Sequence, residues 1–213
     1  MADLKAVEAA ALALGRGQLA VLPTDTVYGV AARPDALGAT SRLFSVKRRP
    51  QRLTLPVLVP NRQAAESVAV FDDRVRVLAA RFWPGGLTIV LPRTPASTLW
   101  DLGEETGTVG VRVPAHDVTL ALLERTGPLA VTSANLSGQP TPPDCEGVRR
   151  ALGEAVAVYL CAGKCASTPS TVVDLTGPAV RITREGAVRA DAIMDALERG
   201  SGSSAAEDAG RRR

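Results

Sequence analysis

The chain has 213 residues, 46% of them hydrophobic and 22% charged, with a formal net charge of +3. This composition excludes a disordered polymer and supports one sizeable core, and its mild basicity is compatible with nucleotide or RNA partners. No apolar run approaches the roughly 20 residues that span a bilayer, and the N-terminus lacks the basic start of a secretory signal, so a cytoplasmic protein without membrane contact is expected.

Asp3 is placed to cap a helix whose stripe is Leu4, Val7, Ala11 and Leu14, with Gly15 as its stop. Gly15-Arg16-Gly17-Gln18-Leu19-Ala20 satisfies the loose dinucleotide pattern, but it follows a helix and precedes a strand, the reverse of the order that cradles phosphate. A strand over Leu19 to Pro23 runs into Thr24-Asp25-Thr26-Val27-Tyr28-Gly29, where hydroxyls and a carboxylate serve either a tight turn or a ligand. Ala36, Ala39, Leu43 and Val46 form a helical stripe that Pro50 ends. Lys47, Arg48 and Arg49 therefore sit at a helix C-terminus, ahead of a strand over Leu55 to Val59 in which Pro56 suggests an edge or a bulge. Two readings of these cations are open. They offset the helix dipole, worth about 0.3–1 kcal/mol each, or Lys47 and Arg49 bind a polyanion.

Asp72 opens a helix with Val75, Leu78, Ala79 and Phe82 on one face, and Trp83-Pro84-Gly85-Gly86 turns it into a strand over Leu87 to Leu91. Residues 93–107 read as an exposed loop. In the strand over Thr108 to Val113, Val109, Val111 and Val113 alternate with Thr108, Gly110 and Arg112, so Arg112 faces away from the valines. A helix from Asp117 ends at Gly127-Pro128, and the strand Leu129 to Val131 delivers Thr132-Ser133-Ala134-Asn135 into a proline-rich loop. A short helix from Asp144, a strand near Ala155 to Leu160, the stretch Ser170 to Leu175, a strand over Val180 to Thr183 and a last helix complete the order. Domain organisation follows: one folded domain over residues 1–199 and a disordered tail over 200–213. Cys145, Cys161 and Cys165 are odd in number and include no C-x-x-C pair, which predicts neither a disulfide framework nor a zinc site. His116 is the single histidine, too few for a His-based metal cluster.

Pro-Thr-Asp-Thr-Val-Tyr-Gly (23–29), Lys47-x-Arg49-Pro50, Phe-Trp-Pro-Gly (82–85), Val-Arg-Val-Pro (111–114), Ser-Ala-Asn (133–135), Ser-Thr-Val-Val-Asp (170–174) and Arg-Glu-Gly (184–186), in this order, resemble the YrdC/TsaC family of threonylcarbamoyl-AMP synthases. The resemblance implies an α/β (α+β) fold, a twisted mixed sheet flanked by helices with a concave basic surface. It implies a nucleotidyltransferase that makes threonylcarbamoyl-AMP and pyrophosphate from L-threonine, bicarbonate and ATP, for threonylcarbamoyladenosine at position 37 of tRNA. On this resemblance, ATP contacts fall on Lys47, Arg49, Thr108, Ser133, Asn135 and Arg184, with Lys47 and Arg49 catalytic, and threonine contacts fall on Thr26, Arg112 and Ser170. Mg²⁺ would be held through phosphates, with no protein metal motif, and the product would pass to a threonylcarbamoyl transferase complex. The chain departs from the family pattern at Leu53-Thr54, which puts one ATP contact in question. Two other readings stand beside this one. The first is a double-stranded RNA or tRNA-binding protein of the same fold, and the second a paralogue acting on another carbamoyl-type substrate. The 3% aromatic content disfavours a single-strand RNA reader.

Overall fold

The computed structural model describes residues 3–48, 53–104 and 107–210, with side chains described through residue 200. Its order is α1 (Leu4–Gly15), β1 (Ala20–Leu22), β2 (Gly29–Ala32), α2 (Ala39–Lys47), β3 (Val57–Leu58), α3 (Arg62–Val68), α4 (Asp73–Phe82), β4 (Leu87–Pro92) and β5 (Thr108–Arg112). Then follow α5 (Asp117–Thr126), β6 (Leu129–Ser133), α6 (Cys145–Leu152), β7 (Val158–Tyr159), β8 (Thr171–Asp174), β9 (Arg181–Arg184) and α7 (Ala190–Gly210).

Local chemistry sets most helix ends. Asp3, Asn61, Asp72 and Asp144 each accept a backbone N–H of the first helical turn, an arrangement worth about 1 kcal/mol per cap. Gly127 closes α5 at φ 73°, a conformation that glycine adopts without a Cβ penalty. In α1 the buried face is Val7, Ala10, Ala13 and Leu14, and Leu4 is exposed, so the stripe is rotated from the expected one.

The strands form one nine-stranded sheet in the order β7-β1-β2-β6-β3-β5-β4-β8-β9. It is mixed: β1–β7, β3–β5 and β4–β8 pair in parallel, and the other neighbours are antiparallel. Strand alternation sorts side chains between two faces. Val21, Val30, Val57, Ile89, Val109, Val111 and Val173 enter the larger core, together with Leu43, Leu78, Val148 and Ile193 of α2, α4, α6 and α7. On the other face, Ala20, Leu22, Ala31, Leu58, Leu129 and Val131 meet α1 and α5 in a smaller core. That second layer covers only one end of the sheet. Beyond it the same face carries Thr88, Thr108, Gly110 and Arg112 and forms the floor of a cavity.

Several elements differ from the expectations. The strand β2, paired between β1 and β6, follows directly on the polar turn, and α3 precedes the helix at Asp72. The proline-flanked strand β3 is interior, between β6 and β5, rather than at an edge. Pro56 precedes the ladder and needs no N–H there, while its carbonyl accepts Val131 N at 2.9 Å. The described residues of the stretch 93–107 do not form a plainly exposed loop. Arg93, Ser97 and Leu102 are buried, and the Arg93 guanidinium donates to the carbonyls of Thr108, Ser97 and Trp100. Cys145 and Cys161 form a disulfide with Cα atoms 5.4 Å apart, where no disulfide framework is expected. Residues 16 apart that the fold brings together are not a spacing signal. The helix α7 is assigned from Ala190 to Gly210.

Candidate active site

The turn between β1 and β2 is built by a hydroxyl. Thr24 Oγ1 accepts the N–H groups of Thr26 (3.1 Å) and Val27 (3.2 Å), which closes the turn and aims the Thr26 hydroxyl inward. There Arg112, at the end of β5, donates through Nη1 to Thr26 Oγ1 (2.9 Å), through Nη2 to Asp25 Oδ1 (2.7 Å) and through Nε to Gly85 O (2.8 Å). The Gly85 carbonyl belongs to the Trp83-Pro84-Gly85-Gly86 turn, whose Trp83–Pro84 bond is cis and whose Trp83 Nε1 donates to Leu87 O at 2.7 Å. Burial pushes the Arg112 pKa down from its ordinary value, and Asp25 opposes that shift. A guanidinium has five N–H donors, so two remain after these three bonds.

Across the sheet a second group forms. Lys47, the last residue of α2, is 2% exposed, so the dipole-offset reading is insufficient. Its Nζ donates to Ser133 O and lies 3.3 Å from both Ser133 Oγ and Asn135 Oδ1. The Asn135 amide donates to Leu136 O (2.8 Å) and Gln139 O (2.6 Å), which shapes the loop after β6. Backbone direction changes beside Lys47: Arg48 adopts φ 50°, and Ser137 N donates to Lys47 O at 2.9 Å. Arg49 and Pro50 lie outside the described residues.

The third group is on β8 and β9. Arg184 donates through Nε to Ser170 O (2.9 Å) and through Nη2 to Ser170 Oγ (3.1 Å), and Thr88 Oγ1 is 2.9 Å from Ser170 Oγ. Thr171 Oγ1 accepts Gly186 N (2.8 Å) and Val188 N (3.0 Å), which folds the Arg-Glu-Gly segment back over the strand end.

These groups meet in one cavity of about 940 Å³. Thr26, Thr108, Arg112, Ser133, Asn135, Ser170 and Arg184, all expected at the site, line it, and Lys47 joins through Ser133 and Asn135. Thr54 lines it too, so the Leu53-Thr54 departure keeps a hydroxyl at the cavity. Thr88 and the loop residues Gln139, Pro140 and Thr141 are additional lining residues. Thr88 had a readable signal: in β4 it alternates with Leu87, Ile89 and Leu91, a polar residue on the face opposite the core. Among the described lining residues there are two arginines and no carboxylate, an electrostatic environment suited to an anionic ligand. His116 contributes nothing to the lining; its Nδ1 is buried without a hydrogen-bond partner among the described residues.

Comparison with known proteins places this architecture. The Sua5/yciO/yrdC family model, described as Telomere recombination, matches residues 12–186. The chain is 44% identical over 187 residues to a Mycobacterium tuberculosis protein named for threonylcarbamoyl-AMP synthase, across 87% of this chain and 86% of that protein. It is 36% identical over 163 residues to a Pyrococcus abyssi threonylcarbamoyl-AMP synthase, covering 75% of this chain and 48% of that one. The crystal structure of P. abyssi Sua5 complexed with L-threonine superposes with a TM-score of 0.82 at 31% identity, over 89% of this chain. The chain spans 56% of that longer protein.

Proposed function

The chain belongs to the Sua5/YciO/YrdC family, and on that premise we propose that it is a threonylcarbamoyl-AMP synthase, a nucleotidyltransferase that joins L-threonine, bicarbonate and ATP. The observation that carries this reading is the convergence of Arg112–Thr26, Lys47–Ser133–Asn135 and Arg184–Ser170 on one cavity with no carboxylate among its described lining residues.

The reaction brings two anions together. The threonine amine forms an N–C bond to the bicarbonate carbon as the C–OH bond breaks, and the leaving hydroxide takes an amine proton and departs as water. An oxygen of the resulting N-carboxylate forms a bond to the α-phosphorus. The bond from the α-phosphorus to the bridging oxygen breaks, and its electron pair leaves with pyrophosphate. Arg112 supplies two N–H donors to the amino-acid carboxylate, held in direction by Asp25, Thr26 and Gly85. Thr26 and Ser170 orient the same substrate by hydrogen bonds. Lys47 supplies a charge pre-positioned by Ser133 and Asn135 toward the phosphates, with Arg49, Arg184 and Thr108 completing the ATP contacts. Catalysis then rests on positioning and fixed charge rather than on a protein base. Mg²⁺ would share the phosphate charge. The described lining residues offer it hydroxyls and carbonyls but no carboxylate, a donor set that fits an ion held mainly by phosphate oxygens and water. The product goes to a separate transferase complex acting on tRNA.

The test is pyrophosphate release from ATP by the purified chain, with L-threonine and bicarbonate each added or omitted. Release that requires both supports the synthase. Release indifferent to threonine removes this assignment and favours a paralogue with another substrate, and absence of ATP binding favours an RNA-binding role.

A further inference from the structure

Thr88 stands in a cross-strand row of the cavity floor. Leu58 pairs with Arg112, Thr88 lies one step beyond the Ile89–Val111 pair, and Val172 pairs with both Thr88 and Arg184. Thr88 is 5% exposed, and its Oγ1 has Ser170 Oγ, 2.9 Å away, as its partner among the described residues. Its γ-methyl lies toward Gly110, where an added Cβ would stand 3.2 Å from it. A β-branched side chain has few χ1 choices, so a methyl seated over a bare glycine fixes the hydroxyl on the Ser170 side.

A hydroxyl oxygen has two acceptor positions and one proton. Arg184 has no acceptor, so its 3.1 Å bond fills one position on Ser170 Oγ. We propose that Thr88 is a positioning residue: its hydroxyl donates into the second position, which directs the Ser170 proton into the cavity as a donor to an anionic oxygen of the amino-acid substrate. The inference rests on the synthase reading of this cavity and deepens it. Thr88 acts only through Ser170 and does not touch the reacting atoms. Arg184 strengthens the effect, because a cation bonded to the hydroxyl oxygen makes its remaining O–H a better donor.

The test is steady-state pyrophosphate release with Thr88→Val, which keeps the shape and removes the hydroxyl, beside Thr88→Ser, which keeps the hydroxyl. The expected result for Thr88→Val is a KM for L-threonine raised about tenfold, the upper end for one neutral hydrogen bond, with the KM for ATP unchanged and kcat within about threefold. Thr88→Ser restores the KM to within about twofold of wild type. Thermal unfolding of both variants accompanies the kinetics, and Thr88→Ala replaces Thr88→Val if that variant does not fold. A threonine KM unchanged by loss of the hydroxyl, or an equal rise for ATP and threonine, overturns the assignment to Thr88. Absence of threonine-dependent release by the wild-type protein overturns instead the reading of the cavity on which it rests.

Discussion

Lys47 Nζ lies 3.3 Å from Asn135 Oδ1, joining the end of α2 to a loop 88 residues further along the chain. The ammonium is buried at 2% exposure, and it satisfies a backbone carbonyl and two side-chain oxygens at once. Lys47→Met removes the charge and strands those acceptors. The expected outcome is a loss of at least about 100-fold in threonine-dependent pyrophosphate release and a destabilisation of about 1–3 kcal/mol in urea unfolding. Lys47→Arg does not restore activity, because a planar fork cannot take the place of a compact ammonium in this setting. Arg49→Ala is expected to abolish ATP turnover with the fold intact, and unchanged turnover would remove Arg49 from the site.

Asp25 holds Arg112 at 2.7 Å and also accepts Ala115 N at 2.9 Å. The Arg112 side chain is 7% exposed and the Asp25 side chain 20%. Removing one partner of such a pair leaves the other charge buried. Asp25→Ala is therefore expected to cost about 3 kcal/mol, the low end for a buried pair because Asp25 retains some solvent. Guanidinium unfolding of this variant measures the loss, and its KM for L-threonine rises more than its KM for ATP.

Gly186 is required for close approach. A Cβ there would stand 2.2 Å from Pro169 O and 2.8 Å from the Ser170 carbonyl carbon, both backbone atoms. Gly186→Ala must displace the chain that carries Ser170. The expected cost is about 1–3 kcal/mol in thermal unfolding, with loss of activity beyond what the stability change explains. A variant of wild-type stability and activity would show that this approach is not tight.

Burial pushes the His116 pKa below its ordinary 6.5, against the opposing pull of Asp117 and Asp25. The unfolded chain then takes up a proton that the folded chain resists. This contribution to stability is complete above about pH 6.5 and is lost as pH falls from there toward the folded-state pKa. His116 is also the N-cap of α5 and makes no side-chain cap bond. His116→Asn is expected to flatten the decline of Tm below about pH 6.5 and to add about 1 kcal/mol at neutral pH by capping. An unchanged pH profile would assign the acid limb to other groups.

The disulfide between Cys145 and Cys161 closes a loop between residues 16 apart and joins the start of α6 to the segment after β7. Closing a loop of that size is worth about 3 kcal/mol. Without reductant, Cys165 should be the single titratable thiol, and slow to react because burial pushes its pKa up. Reduction should expose two more thiols and lower stability by about that amount. Three reactive thiols in protein never exposed to reductant would contradict the pairing.

The local features were legible because they are short-range. Side-chain caps at Asp3, Asp72 and Asp144, the alternation that set Arg112 opposite the valines, and the hydroxyl-rich strand ends all depend on neighbours within a few residues. The order of the polar blocks also carried the family resemblance, and with it the residues that line the cavity.

Tertiary structure decided the rest. The four-residue β2 and the two-residue β3 carry too little period to read alone; their partners on both sides create them. The burial of Lys47, the Thr88–Ser170 contact and the Cys145–Cys161 bond join positions 86, 82 and 16 residues apart, distances over which spacing holds no information. The sequence by itself determined which strand faces are polar. Only the fold decided that α1 and α5 would cover one end of that face and leave the other open, so that the polar residues enclose a cavity.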